Sequence, residues 1–377
     1  MYNNKRTTDK YINLICGFLF FAFSFCYLYF YQSNLLAVMQ NIYSKGQTSY
    51  NSLVGAILIA LTLLLFHVLI SRLFKNRLFS LPALAFFPSA MLLTLITGCI
   101  INEDNTISQS SAITTFIISS IIYIFVLSFI FKFKINFGHR FLKELWVNIL
   151  IMSTVFLYVC SFCNNNKKVH LRAYVEQCLL QRKYKEALTV LKSIEYNDNF
   201  TTLLTTYALS CESKLQDYLF EYNPKGKSQS LLPTNTNNTL IFPQDEFYKR
   251  FGLTVIPFLT PIKQIEYSVY NGHAKRQAVD YILCGYLLDG NIDAFANTIG
   301  KFYEINDSLP KHYKEALILY RHLVTAPSII YKNSIMDADF IDYQRLEQEI
   351  TDYRKRKNKI RDIYGNTYWY YFNYIIS

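Results

Sequence analysis

The chain of 377 residues is 51% apolar and only 17% charged, with 12 Gly and 9 Pro, a composition that excludes a disordered chain, a collagen-like repeat and a small disulfide scaffold. Its formal net charge of +11 divides unevenly: residues 1–166 carry 11 Lys and Arg against 4 Asp and Glu, residues 167–377 carry 27 against 23. The first excess is a topology signal, and the near balance of the second part argues against nucleic acid as a partner.

Five segments are apolar over about the 20 residues needed to cross roughly 30 Å of hydrocarbon: 11–31, 53–70, 79–101, 112–131 and 145–162. They predict a five-helix transmembrane bundle over residues 1–166. None contains Asp, Glu, Lys or Arg, and His67 is the one ionisable ring, expected to sit neutral within the bundle. Lys5, Arg6 and Lys10, then Arg72, Lys75 and Arg77, then Lys132, Lys134, Arg140 and Lys143 fall in alternate loops, while the opposing loops hold only Lys45. This asymmetry places the N-terminus in the cytoplasm and everything after span five across the membrane, the periplasm or exterior of a bacterial cell. The first span ends in Tyr27, Tyr29 and Tyr31 with no small-residue cleavage pattern, so it is expected to be retained. Leu95 to Cys99 has the letters of a lipoprotein box, but at the end of a third span that signal has no meaning.

Residues 167–377 read as an exported all-α domain. Leu171 to Ile194 predicts a helical hairpin turning at Gln181-Arg182-Lys183, with Tyr184 and Ala187 where a tetratricopeptide hairpin packs its second helix on its first. A second hairpin is expected from Phe200 to Tyr222 through Cys211-Glu212-Ser213, and a third from Ala274 to Phe302 through Asp289-Gly290-Asn291. Asn223 to Leu240, polar with Pro224, Gly226 and Pro233, reads as a long surface loop. Pro310 opens another helix. Asp337 to Tyr364 reads as one long helix, acidic at its start and basic at its end as the macrodipole favours. The aromatic tail from Tyr368 to Phe372 has two readings, packing inside the domain or docking at the membrane interface.

Stacked helical hairpins leave a concave surface for a peptide. Tyr174, Tyr184, Tyr207, Tyr286, Tyr313 and Tyr320 are the candidate partner-binding side chains along it. The chemistry-bearing motifs are absent: there is no HExxH, GxSxG, GxxxxGK[ST] or GxGxxG, so no metal or cofactor is expected and the motifs assign no catalytic residue. Cys160 and Cys163 have redox-pair spacing without the accompanying context. Glu103 and Asp104 are the only adjacent carboxylates in an outer loop, and an envelope enzyme, such as a glycan or lipid transferase, would use them first.

The stretches Tyr207-Ala208-Leu209-Ser210, Leu215 to Phe220, Leu309-Pro310 with Tyr313 to Leu317, and Thr367 to Tyr371 resemble an uncharacterised bacterial inner-membrane family, a domain of unknown function with N-terminal spans and a tetratricopeptide-like helical domain. The resemblance implies an envelope protein and carries over no catalytic residue. The sequence therefore predicts a membrane-anchored helical-repeat scaffold that binds a protein or peptide in the envelope, with the lipid bilayer as its other partner.

Overall fold

The computed structural model describes residues 2–73, 81–102, 106–133, 141–194, 197–234 and 239–376. Glu103, Asp104, Lys75, Arg77, Lys134 and Arg140 lie outside them. The described fold is all-helical apart from one two-stranded ribbon, Ile100–Ile101 against Ile107–Ser108. The chain divides into two compact units, Met1–Ala173 and Tyr174–Ser377.

The first unit contains α1 (Tyr2–Cys26), continuing as a π-helical turn to Tyr31, α2 (Ser33–Tyr43), α3 (Ser52–Leu73), α4 (Phe87–Thr97), α5 (Ser110–Phe133) and α6 (Phe141–Ser161). Four stretches are long and apolar enough to cross a membrane: Lys10–Tyr31, Ser52–Arg72, Ser110–Ile130 and Phe141–Ser161. The expected third span, 79–101, is the correction. Residues 79 and 80 lie outside the described residues, and the rest forms a five-residue 3-10 turn, Pro82–Phe86, running into the eleven-residue α4, roughly 25 Å in all. Pro82 pushes Leu81 out of helical geometry at one end, and Gly98 stops the helix at the other.

This short helix is the most enclosed of the unit, with Ala83, Phe86, Ser89, Ala90, Leu93 and Thr97 all buried. Around it the polarity of a soluble protein is reversed. Along α3 the buried stripe is Ala56, Ala60, Leu63 and His67, while Leu58, Leu61, Leu65 and Leu69 are exposed. On α5, Ser119 and Tyr123 face inward, and Ile117, Ile121, Ile124 and Phe125 face outward. Small and polar residues inside with large apolar ones outside is the pattern of helices that pack in lipid, where close approach and hydrogen bonds replace hydrophobic burial. The bonds are present: Ser89 donates to the Leu63 carbonyl at 3.0 Å, and Tyr158 to Ser119 at 3.0 Å.

A second correction concerns charge. Glu144, one residue outside the expected fifth span, lies within α6 and is buried, so the spans are not free of carboxylates. One turn on, Asn148 accepts from the Ala83 amide at 3.0 Å and donates to the Glu144 carbonyl at 2.8 Å, which satisfies backbone at the broken start of the central helix.

The second unit follows through α7 (Lys167–Leu180), within which the division falls, and α8 (Tyr184–Lys192). Then come α9 (Asn199–Cys211), α10 (Leu215–Tyr218), α11 (Gln244–Phe251), α12 (Pro261–Tyr270), α13 (Gln277–Leu288), α14 (Ile292–Ile299), α15 (Lys311–Leu323), α16 (Ser334–Glu349), α17 (Tyr353–Tyr364) and α18 (Tyr368–Tyr371). The three expected hairpins form as α7/α8, α9/α10 and α13/α14. All three turn in the same way, with a left-handed residue at Arg182 (φ 58°), Ser213 (φ 56°) and Gly290 (φ 71°). In each, that residue's amide bonds three residues back and the next amide five back, as in Lys183 to Cys178, Lys214 to Leu209 and Asn291 to Tyr286.

The predicted single helix 337–364 is two helices. Asp352 accepts from the Lys355 amide at 2.9 Å and starts α17, and Arg356 donates to the carbonyls of Glu347 and Ile350 at the end of α16. A side chain that caps a new helix competes with continuing the old one.

The shared turn predicts opposite effects of two substitutions. At Gly290 a Cβ would be strained by the positive φ and would meet Ile376 at 3.3 Å, so Gly290→Ala is expected to destabilise the unit by about 1–2 kcal/mol. Arg182→Gly relieves a strained residue and is expected to stabilise by about 0.5–1 kcal/mol. Thermal melting of the full chain in detergent, followed by the fluorescence of buried Trp369, checks both signs.

Candidate functional site

The six candidate tyrosines do not share a surface. Tyr207, Tyr286, Tyr313 and Tyr320 are buried. Tyr207 packs among Phe242, Phe247 and Phe251, Tyr286 donates to Glu266 at 2.9 Å, Tyr313 donates to Asp280 at 2.9 Å, and Tyr320 shares a hydrogen bond with Ser328 at 3.1 Å. Tyr184 is half-buried against the same core, and Tyr174, also half-buried, donates to Glu186. The reason lies in the first helices of the hairpins. Residues 202–210 of α9 and 281–288 of α13 are buried on every side, so neither offers an open face.

What covers them is the stretch expected to be a surface loop. From Asn223 the chain forms a 3-10 turn, Lys227–Leu231, that contacts α9, α12 and α13, and Leu231, Leu232, Leu240 and Phe242 are buried. Two carboxylates fix it. Asp289 accepts from the Ser228 amide at 2.9 Å and hydroxyl at 2.7 Å. Glu176, wholly buried, accepts from the amides of Leu240, Ile241 and Phe242 at 2.9, 2.5 and 2.8 Å, which supplies partners to three successive backbone donors that have no helix or sheet to satisfy them. Glu176→Ala is therefore expected to destabilise the unit by about 3 kcal/mol or more and to open a protease cut between residues 223 and 242, whereas Glu176→Gln keeps an acceptor and is milder. Limited proteolysis of the two variants distinguishes them.

An open groove of the unit lies on α8 and α10, the second helices of the first two hairpins. A groove of ≈ 540 Å³ is lined by Lys185, Leu188, Thr189, Lys192, Lys214, Tyr218 and Tyr222 among others. Lys185, Thr189 and Lys192 are spaced to share one face of α8. Lys192 stands 5.8 Å from the Tyr222 ring centre, and Lys214 stands 6.0 Å from that of Tyr218. Glu221 is the carboxylate at the edge, 3.5 Å from Lys192 and 3.7 Å from Lys311. Burial, reinforced by Glu221, pushes the Tyr222 hydroxyl up, so it remains a neutral donor at physiological pH. Three ammonium groups, that of Lys192 paired with Glu221, and two tyrosine rings surround an apolar floor of Leu188 and Leu209. These residues escape motif reading because Lys at i and i+7 on a helix is the ordinary pattern of a solvated face; only the tertiary approach of α10 makes it a groove.

A second cluster sits inside the unit. Asp280 accepts from Tyr303 at 2.6 Å and from Tyr313 at 2.9 Å. Burial raises its carboxyl above the usual 3.8, against the lowering pull of the two hydroxyls. The folded state thus holds this proton more tightly than the unfolded chain. Its contribution to stability is full below 3.8 and is lost as pH rises through the folded value. Relative to Asp280→Asn, the wild type is expected to lose stability as pH is raised from below 3.8 and to level off once the carboxyl is ionised. Denaturation midpoints of the two proteins across that range measure it, and a gap that moves the other way contradicts the assignment.

His67 is buried and stacked on Phe86, ring centres 3.5 Å apart. Cys160 and Cys163 are free thiols, as are the other six, and Cys163 bonds the Cys160 carbonyl at 3.1 Å. Among the described residues no group of three His, Cys, Asp or Glu could hold a metal ion. The tail is packed, not exposed: Tyr368, Trp369, Tyr370 and Tyr371 are buried, with Tyr368 and Tyr371 donating to the carbonyls of Leu287 and Leu288 at 3.2 and 3.1 Å.

Fold and site together define a helical protein with several membrane-capable helices and a second helical unit built around its own apolar core. A family of unknown function (DUF6057) matches residues 261–375, from the first residue of α12 through the buried tail. The match includes the stretches at 309–317 and 367–371 and leaves the one at 207–220 outside. No curated protein and no solved structure matches the chain.

Proposed function

We propose that the chain is a membrane-anchored helical scaffold whose second unit holds a protein or peptide partner at the outer face of a bacterial inner membrane. The α8/α10 groove carries the reading: an exposed cluster of Lys185, Lys192 and Lys214 with Tyr218 and Tyr222 over an apolar floor suits an acidic segment with an apolar side chain. The side of the membrane follows from the Lys and Arg excess in alternate loops.

The short central helix completes that topology as a fifth, sheltered crossing. It is bonded at its start to Asn148 of α6, and at its end the Thr97 carbonyl accepts from Asn164, just past α6, at 2.8 Å. It thus runs alongside nearly the length of a full span while its neighbours cover it from lipid. Three hairpins with one turn geometry support a tetratricopeptide-like ancestry, with the open face replaced by the inserted 223–242 stretch.

A photo-crosslinking residue in place of Thr189, inside the groove, is expected to trap one discrete partner in native membranes, and the charge reversals Lys185→Glu, Lys192→Glu and Lys214→Glu together are expected to abolish the adduct. An adduct that survives the reversals, or that forms equally from a probe at Gln348 on α16, would count against the groove as the binding site.

A further inference from the structure

A second surface of the helical unit points to lipid. Between α11 and α12 the chain runs Leu253-Thr254-Val255-Ile256-Pro257-Phe258-Leu259-Thr260. Its base is fixed: the Leu253 amide bonds the Tyr248 carbonyl, Thr254 donates to Ser268 at 3.0 Å, and the Leu259 carbonyl accepts from Gln264 at 2.9 Å. Its tip is a four-residue turn in which Pro257 precedes Phe258 at φ 71° and the Leu259 amide reaches back to Ile256. That is the arrangement of a type II turn, whose third position belongs to Gly or Asn. Here it holds a phenylalanine that is 106% exposed, beside Val255 at 60% and Leu259 at 39%.

Both features are unfavourable in water and neither is repaid within the unit. The left-handed backbone strains an L-residue with a bulky side chain, and the tip offers a run of large apolar groups on a convex protrusion, not in a groove or on a flat patch that a protein would cover. An apolar phase restores the apolar part. Tyr267 and Tyr270, half-exposed on α12, and the exposed Lys275 and Arg276, the first of which bonds the Phe251 carbonyl at the end of α11, two residues before the loop, add the side chains that favour the headgroup level. The bilayer is also the one apolar phase to which this unit is covalently tethered: α7 begins at Lys167, six residues after α6 ends at Ser161, so its effective concentration at the membrane is high.

We propose that the loop Leu253–Thr260 is a membrane-docking element, inserting Phe258 and Val255 into the lipid interface. The proposal rests on the first unit spanning a bilayer. The full chain is reconstituted into nanodiscs of phosphatidylcholine and phosphatidylglycerol, with and without lipids brominated near the headgroup end of the acyl chains. In a Trp146→Phe background, Phe258→Trp leaves one reporter besides Trp369, which is buried in the core. The expected result is a blue-shifted emission from the indole introduced at the loop tip, which loses at least half its intensity on brominated lipid, while Gln348→Trp in the same background is unaffected.

Water-like, unquenched emission from the loop-tip indole overturns the proposal. A blue-shifted emission that brominated lipid does not quench also overturns it, in favour of a protein cover such as a second copy. Trp146, exposed on the outer face of α6, separates the two levels of the account in the wild-type chain. If Trp146 is quenched and the loop-tip indole of the Phe258→Trp variant is not, the loop proposal alone fails; if Trp146 is not quenched, the membrane reading fails with it.

Discussion

The carboxylate of Glu315, on α15, holds the end of the chain to its middle. It is buried, pairs with His312 at 2.8 Å and accepts from the Tyr368 amide at 2.8 Å, while the Glu315 carbonyl takes the indole of Trp369 at 2.8 Å. A buried charge persists only where such partners surround it. With that tie in place, Phe220 packs against His312, Tyr368 and Tyr371, joining the second hairpin to the tail, and Phe372 and Ile376 close over the turn at Gly290. The family match ends at residue 375, which fits a tail that belongs to the core.

The same rule, a carboxylate satisfying backbone donors, explains how the first helices of the second and third hairpins come to be covered. Glu176 and Asp289 fix the 223–242 stretch, and that stretch lies where stacked hairpins would otherwise leave a surface. The lysine-lined groove lies instead on the second helices of the first two hairpins, and the most exposed apolar side chain of the unit stands on the loop at Phe258. In the first unit backbone at Pro82 is met by Asn148, and small and polar residues turn inward along membrane-capable helices.

Period and composition made much of this legible. Four membrane-capable helices, the three hairpins and their turns at Arg182, Ser213 and Gly290 follow from apolar length and helical spacing. The third span was overlong in the sequence because apolar character continues through Leu81 and past Gly98, where geometry, not hydropathy, ends the helix. The break at Asp352 was hidden by a charge gradient that suits one helix as well as two. The 223–240 stretch is polar in composition, yet Leu231, Leu232 and Leu240 are buried, and Ser228, Ser230 and Thr239 are buried with them. The candidate tyrosines failed to form a surface because aromatic residues at helical spacing in a Tyr-rich chain serve packing first. The lysine groove depends on the approach of α8 and α10, which no local pattern encodes.

The central claim is that the helical unit stands across the membrane from the N-terminus. Fusing after Ser377, in turn, a reporter that folds only outside the cytoplasm and one that works only inside it tests this directly. The account predicts activity of the external reporter alone. Activity of the cytoplasmic reporter would mean an even number of crossings, leave the short central helix uncrossed, and make the groove a site for an intracellular partner.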